Sequence, residues 1–397
     1  MDSITQCRAC DSTKLMDFLD LGEQYLSDFR RDGVLPPKRP LVVTFCEGCK
    51  LVQLRHSTPQ DEMYHERYGF KSGVSDSIRN DLDSIVTHAF QYKNDPKSWL
   101  DIASNDGTLL AMVPKDVYRV GIDPIEPLCK EARPHADEII NEYFSDIYFY
   151  KKFDVVTSIS CFYDMPDPRK FVSELSNILN AGGVWIIQQN YLLTTIQLNA
   201  VDNFCHEHLE YYTLCSLEGL LQHFDLEVNE VLLSPVNGGS IRTVVSRKGT
   251  FPVDGSVEKQ RIIEQQFGAG NPLIYRVFAN QVMVELDRLR AFVDSRIVMG
   301  KRIAILGAST RGATIWQSAG IGKEQICYAV ERNSAKVGAE FCAIQVPIVS
   351  EEYFRKDRPD YAIVGPWFFA NEITAREREY SYSGGRFIIP LPKLEVV

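Results

Sequence analysis

The sequence predicts an α/β protein in three parts: a metal-binding N-terminal domain, a Rossmann-like core around a parallel sheet, and a second, smaller Rossmann-like domain. Three observations predict it. Cysteines pair as Cys7-Arg-Ala-Cys10 and Cys46-Glu-Gly-Cys49 near the start of the chain. From about residue 61 to 248, apolar strand-like runs alternate with helical stretches, the pattern of right-handed βαβ units. A further strand, glycine turn and helix begin at Ile303. The expected domains are residues 1–60, 61–248 and 249–397.

Taken in order, the first 60 residues hold short strand-like runs and turn signals around the two Cys pairs. Core strands are expected at Trp99–Ala103, Tyr118–Ile122, Phe153–Ile159 and Val184–Gln188, with helices between them. Leu226–Leu233 and Gly239–Ser246 read as an antiparallel pair closing the sheet. Residues 273–297 form a long helix, because Phe278, Val282, Leu286, Leu289 and Val293 recur at spacings of 4, 4, 3 and 4 on one face. Ile303–Leu306, Ile326–Glu331 and Tyr361–Val364 are further strands, with a turn at Gly307–Gly312 and a helix opening at Ala313.

Composition excludes some functions. The chain has 397 residues, enough for two or three domains, and a net charge of −10. That charge argues against a general affinity for nucleic acid or anionic membrane, since both need a positive field. No stretch reaches the ~18 continuous apolar residues of a membrane helix, and no signal peptide is read at the N-terminus. The expected location is cytoplasmic, where ten cysteines should be thiols or metal ligands. A monomer or small homo-oligomer is expected.

Four thiolates on two tight turns suit a tetrahedral Zn²⁺. With Cys7, Cys10, Cys46 and Cys49 as ligands and no histidine or carboxylate beside them to mark an open position, the metal should be structural.

The segment Trp99-Leu-Asp-Ile-Ala-Ser-Asn-Asp-Gly-Thr108 runs from a strand into a helix through small residues, which lets the backbone approach a ligand. Asp123 ends the next strand, where a carboxylate can accept both hydroxyls of a ribose. Only Gly107 of a G-x-G-x-x-G pattern is present, so a pyrophosphate is a poor fit. A nucleoside with a sulfonium tolerates acids such as Asp101 and Asp106. Asp101, Ala103, Ser104, Asn105, Asp106, Gly107 and Asp123 therefore point to S-adenosylmethionine, with Asn141 expected beside the adenine or in a polar loop.

The densest polar cluster is Asn203-Phe-Cys-His-Glu-His-Leu-Glu-Tyr-Tyr212, which follows the strand ending at Asn190 and Tyr191, where ligands bind in open α/β sheets. His206, Glu207 and His208 offer a base and a carboxylate to orient it, with His208 and Tyr211 or Tyr212 spaced as on one helical face. His206 is as readily a packing residue. Asn237, Gly238 and Gly239 give a close backbone approach or a simple hairpin bulge, and Arg242 can hold a phosphate or carboxylate.

These residues resemble the sugar C-methyltransferases that act on nucleotide-linked keto-deoxysugars, over essentially the whole chain. The resemblance implies a zinc domain, a class I methyltransferase core and a Rossmann-like C-terminal domain. It places the four cysteines on the zinc, Ser104-Asn-Asp-Gly107 on the donor, and the Glu207-His208 pair in catalysis, with His208 as general base. The family usually has Gly where Ala103 stands, its characterised members carry a second histidine where Cys161-Phe-Tyr-Asp-Met-Pro166 offers Tyr163, and some members have a tyrosine where Cys205 stands. Tyr68 matches a further family tyrosine, with Phe70 the competing register. Gly307-Ala-Ser-Thr-Arg-Gly312 and Lys336-Val-Gly338 resemble the family's nucleotide-sugar segments, which puts Ser309, Arg311, Glu331 and Lys336 with Asn190, Tyr191, Asn237, Gly238, Gly239 and Arg242 at the substrate. The implied reaction is methylation of the carbon beside the ketone, at C-3 of a thymidine-diphosphate 4-keto-6-deoxysugar. Two other readings stay open: an O- or N-methyltransferase on a nucleotide sugar, and an NAD-dependent oxidoreductase using Gly307–Gly312 with Glu331.

Overall fold

In the computed structural model, residues 3–397 are described. Seven strands form the central sheet: Ser98–Ile102, Tyr118–Ile122, Glu138–Ile140, Phe153–Ile159, Leu179–Asn190, Leu226–Ser234 and Ser240–Arg247. Taken in chain order as first to seventh, they lie side by side as third, second, first, fourth, fifth, seventh, sixth. The first five run parallel, and Ser240–Arg247 pairs antiparallel with both Leu179–Asn190 and Leu226–Ser234. This order is the class I methyltransferase fold. The chain reverses direction across the sheet between Ser98–Ile102 and Phe153–Ile159, which opens a crevice at their carboxyl ends.

Helices cover both faces because their apolar residues fall on one side. Helix Asp76–Tyr92 buries Ile78, Leu82, Ile85, Val86 and Ala89 against Val155, Val184, Ile186 and Val244. Helix Pro168–Ile178, whose first turn is capped by the Asp167 carboxylate on the Lys170 N–H, buries Phe171, Val172, Leu175 and Ile178 around Trp185 on the other face.

The N-terminal part is a small sheet of Leu15–Tyr25, Lys38–Cys46 and Val52–Leu54, and its fourth strand comes from the core: Glu210–Tyr211 pairs with Val52–Gln53. The C-terminal part has a parallel sheet centred on Ile303–Leu306, flanked by Ala329–Glu331 and Tyr361–Val364, as expected, with Val346–Ser350 and Arg386–Ile389 further out. The N-terminal strand Phe29–Arg30 extends one edge of that sheet by pairing with Glu340–Phe341. The long helix, observed over Pro272–Val298 and capped by Asn271, buries the expected apolar stripe plus Tyr275, whose ring meets Phe45 and Phe18 at 4.8 and 5.3 Å. It ties the N- and C-terminal parts into one core. Among the described residues no helix is long and apolar enough to cross a membrane.

Candidate active site

The donor end is built on a strained turn. After Ile102 the chain passes through Ala103, Asn105 and Gly107 at φ of +57°, +52° and +77°. Gly107 is required there: a Cβ would stand 2.8 Å from the Ala132 Cα. The turn aims the Asn105 N–H at the Asp123 Oδ2, 2.9 Å away, and the Ile125 N–H donates to Oδ1 at 2.9 Å. Asp123 is thereby fixed at the lip of a cavity of about 340 Å³ that Ile102, Ala103, Asn105 and Ile122 also line. Burial raises its pKa. Asp101 accepts a 2.6 Å bond from Thr157 and is pushed up to about 7 by burial, with the Thr157 bond opposing. Asp123 at a cavity of this size, on a turn without crowding side chains, fits a nucleoside such as S-adenosylmethionine, while Asp101 lines a smaller neighbouring cavity with Ala103 and Ser104.

The other loop residues shape this turn. Asp106 accepts from Thr108 and from the Gly73 N–H, and Asn105 accepts from the Ser72 N–H, so segment 70–74 is fastened over the loop. Ser104 packs under Gly121, where a Cβ would meet its Oγ at 2.6 Å. Asn141 donates to the Asp123 carbonyl at 3.0 Å and supports that residue from behind, while Glu142, Tyr143 and Phe144 reach the cavity. Tyr64, Ser160, Asp164 and Lys170 also line it and were not foreseen. Ser160 at φ +55° follows a foreseen strand end and carried a positional signal. Tyr64 sits among turns without periodicity and carried none.

The segment that carries His208 does not line this cavity and approaches it through Tyr163. His208 Nδ1 bonds the Asn203 carbonyl at 2.9 Å, leaving Nε2 as the free ring nitrogen. Its ring packs on Tyr163 at 4.3 Å. Tyr163 stands in the chain between the cavity-lining Cys161 and Asp164, and Tyr68 lines the cavity directly. Burial, then the Arg311 charge, lowers the His208 pKa to about 3, so the ring is neutral. Asn203 is itself held by Asn190 and Thr195 at 2.9 and 2.7 Å. Among the buried polar atoms without a partner in the described residues are Asn190 Oδ1, Asp202 Oδ1 and Arg311 Nε, on or next to these side chains. Such atoms fit a polar ligand's contacts.

Several expectations are corrected. Glu207 is buried, with its pKa raised, but makes no hydrogen bond to His208; the Asn203 carbonyl orients that ring instead. The segment is a turn and a short strand, not a helix, and Tyr211 donates back to the His208 carbonyl. His206 turns away from the site to bond the Arg39 carbonyl at 3.1 Å. Tyr191 is locked among Glu264 and Gln260. Arg242, itself buried, is committed to the partly buried Asp81, with Gln188 and Ser84, and is not free for a phosphate. Ser309 caps its own helix by accepting from the Gly312 N–H.

Arg311 crosses from the C-terminal part to the core, bonding the Asn237 carbonyl at 2.7 Å and Asp202 at 2.6 Å over the Phe368 ring. Asn237 and Gly239, at φ of +57° and +113°, make the close approach: a Cβ on Gly239 would strike Thr194. Gly238 faces the Phe368 ring. Lys336 bonds the Ala308 carbonyl at 3.0 Å and lies 3.6 Å from Glu331, which itself accepts from the Arg332 and Asn333 N–H groups.

The four cysteines come together with all Sγ atoms within 4.8 Å of one another. Both knuckles share one design. Cys7 N donates to the Ser12 carbonyl and Asp11 N to the Cys7 carbonyl; Cys46 N donates to Leu51 and Lys50 N to Cys46. Asp11 and Lys50 take φ of +58° and +65°. Sγ separations of 3.5 Å (Cys7–Cys49) and 3.6 Å (Cys10–Cys46) match the ~3.8 Å edge of a tetrahedron with Zn–S bonds near 2.3 Å. Hydrogen bonds from Cys49 and Cys7 lower the Cys46 thiol, while the Cys7 thiol is pushed up to about 12 by its bond to Cys46. Four sulfurs this close suit a tetrahedral cation such as Zn²⁺.

Comparison with known proteins agrees with this geometry. Residues 7–64 match the family model "Putative zinc binding domain", residues 76–231 a methyltransferase domain, and residues 235–392 a C-methyltransferase C-terminal domain. C-methyltransferase NovU of Streptomyces niveus is 27% identical over 416 residues, covering 99% of this chain and 97% of that protein. Among solved structures, an S-adenosylmethionine-dependent methyltransferase of Clostridium acetobutylicum covers 45% of this chain and 94% of its own (15% identity, TM-score 0.36). Magnesium protoporphyrin IX methyltransferase of Synechocystis covers 43% and 79% (12% identity, TM-score 0.34). With three matched domain models in one order and similarity to a C-methyltransferase along nearly its whole length, the chain is a methyltransferase enzyme with a class I core and resembles C-methyltransferases throughout.

Proposed function

We propose that the enzyme methylates the carbon beside the ketone of a nucleotide-linked 4-keto-6-deoxysugar, at C-3 of a thymidine diphosphate sugar, with S-adenosylmethionine as donor and Zn²⁺ as a structural ion on Cys7, Cys10, Cys46 and Cys49. The observation that carries this is a neutral, oriented His208 packed on Tyr163, whose chain neighbours Cys161 and Asp164 line the cavity, with unpartnered polar atoms on nearby side chains that suit a sugar. S-adenosylmethionine, when bound, supplies an electrophilic methyl group. Asp123 is placed for the ribose, Asp101 for the donor's cationic end.

His208 takes the proton from the carbon next to the ketone on Nε2, since Nδ1 is occupied by the Asn203 carbonyl. Carbon acids of this kind need a base, which hydroxyl and amine acceptors need less strictly. The phenols of Tyr68 and Tyr163 have pKa values raised by burial, so they stay protonated as donors for the developing enolate oxygen. Glu207 acts in packing the segment, not in turning the base. The C-terminal part, through Arg311, Lys336 and Glu331, holds the nucleotide portion. The Gly307–Gly312 turn favours this over a dinucleotide: Ser309 already caps the helix, and Lys336 fills the approach to Ala308.

His208→Asn tests the assignment. Turnover should fall by about 10²–10⁴-fold, while calorimetry shows unchanged donor affinity. Substantial turnover in that variant would remove His208 as the base.

A further inference from the structure

The base lies on a segment held by the cysteine domain from both sides. On one side His206 bonds the Arg39 carbonyl. On the other, the Leu54 N–H donates to the Leu209 carbonyl at 2.9 Å, and Glu210 pairs across strands with Gln53. The cysteine domain's sheet is therefore completed by residues adjacent to His208.

Gln53 has no exposed surface. Its Nε2 donates to the Cys7 Sγ at 3.1 Å. Its Oε1 accepts from the Arg8 backbone N–H at 3.1 Å and from Arg8 Nη1 at 3.3 Å. Arg8, inside the first knuckle, also bonds the Leu54 carbonyl at 2.7 Å and Ser57 at 2.7 Å, and its Nε lies 3.7 Å from the buried Glu210 carboxylate. One side chain thus touches a thiol of the cysteine cluster, the knuckle arginine and, through its backbone, the strand beginning two residues after the base.

We propose that Gln53, with Arg8, is a positioning residue for catalysis: it transmits the geometry of the Cys7–Cys49 cluster to the Glu210–Tyr211 strand and thereby sets the place of His208. The inference rests on His208 being the base. A hydrogen bond to a metal-ligating thiolate fixes that ligand's orientation, and partners of this kind change activity by about 10–100-fold when removed. Here the same side chain fixes a strand of the catalytic segment. The cysteine cluster is then part of the catalytic scaffold and not a detached stabilising module.

The test uses the full-length, zinc-loaded protein and the Gln53→Met variant, similar in volume but without either hydrogen bond. Metal per chain and donor affinity by calorimetry should match the parent. kcat should fall about 10–100-fold, with a smaller change in KM. In ¹⁵N-histidine spectra, the His208 ring should lose its single held tautomer. Arg8→Lys, which keeps the charge but not the fork to Gln53 and Leu54, should act in the same direction and serves if Gln53→Met does not fold. Unchanged kcat and ring signals with full metal would overturn the inference. So would a loss of kcat no larger than the loss of bound metal or of donor affinity, which is general destabilisation. If the parent itself exchanges no ketone-adjacent proton with solvent, the His208 reading fails, and that outcome is separate from any effect of Gln53.

Discussion

Ala103 occupies a left-handed position at φ +57° where the resembling family usually has glycine. The Cβ costs about 1–2 kcal/mol in that conformation, partly offset because glycine adds freedom to the unfolded chain. Ala103→Gly should stabilise the protein by roughly 0.5–1 kcal/mol in urea titration and leave donor affinity intact; a loss of stability would mean the methyl group packs against something essential. Asp101 gives a second residue-level expectation. With its pKa near 7, part of the free enzyme holds this group protonated at neutral pH, and a cationic donor favours the carboxylate. Donor binding should weaken as pH falls from about 8 to 6 and release protons, seen as a buffer-dependent heat. Asp101→Asn should abolish both effects; a pH-independent affinity in the parent would take Asp101 away from the donor.

At the scale of elements, Arg242 belongs to the scaffold. It joins the Ser240–Arg247 strand to helix Asp76–Tyr92 through Asp81, with Arg242 buried and Asp81 nearly so. Removing it leaves a nearly buried carboxylate uncompensated, so Arg242→Ala should cost about 3 kcal/mol of stability with little change in acceptor KM. A raised KM at unchanged stability would return Arg242 to the substrate. The strands were legible in the sequence as short continuous apolar runs between helical stretches, and the long helix because its apolar residues repeat with a period of 3.6 over several turns. So were the knuckles and the donor loop, where spacing and left-handed turns restrict residue type. Glu138–Ile140 and the Glu210–Tyr211 pairing were not: each is too short to carry a period, and the second is fixed by a partner more than 150 positions away in the chain. The partners of Arg242, Tyr191 and His206 were hidden for the same reason, since a polar residue's identity does not say whether it faces a ligand or another element.

At the scale of the whole molecule, the three parts exchange strands: Phe29–Arg30 extends the C-terminal sheet, and Glu210–Tyr211 completes the N-terminal one. Unfolding should therefore be a single cooperative transition. His206 and His208 both lie on the shared segment, with pKa values lowered by burial to about 4 and about 3. The unfolded chain, near 6.5, binds protons first on acidification. Their contribution to stability is thus fully present above about pH 6.5 and is lost as pH falls toward 4. Chemical denaturation between pH 7.5 and 4.5 should show stability falling, with His206→Gln flattening part of the slope; an equal slope in that variant would contradict the assignment.

The central claim is carbon methylation beside a ketone. Its most direct test is mass spectrometry of the product from S-adenosylmethionine and a thymidine diphosphate 4-keto-6-deoxysugar in heavy water. The account predicts a gain of one methyl group with loss of the protium next to the ketone, and a rate of product formation lowered by about 10²–10⁴-fold in His208→Asn. A methyl gain that leaves that protium in place would contradict it and move the acceptor to oxygen or nitrogen.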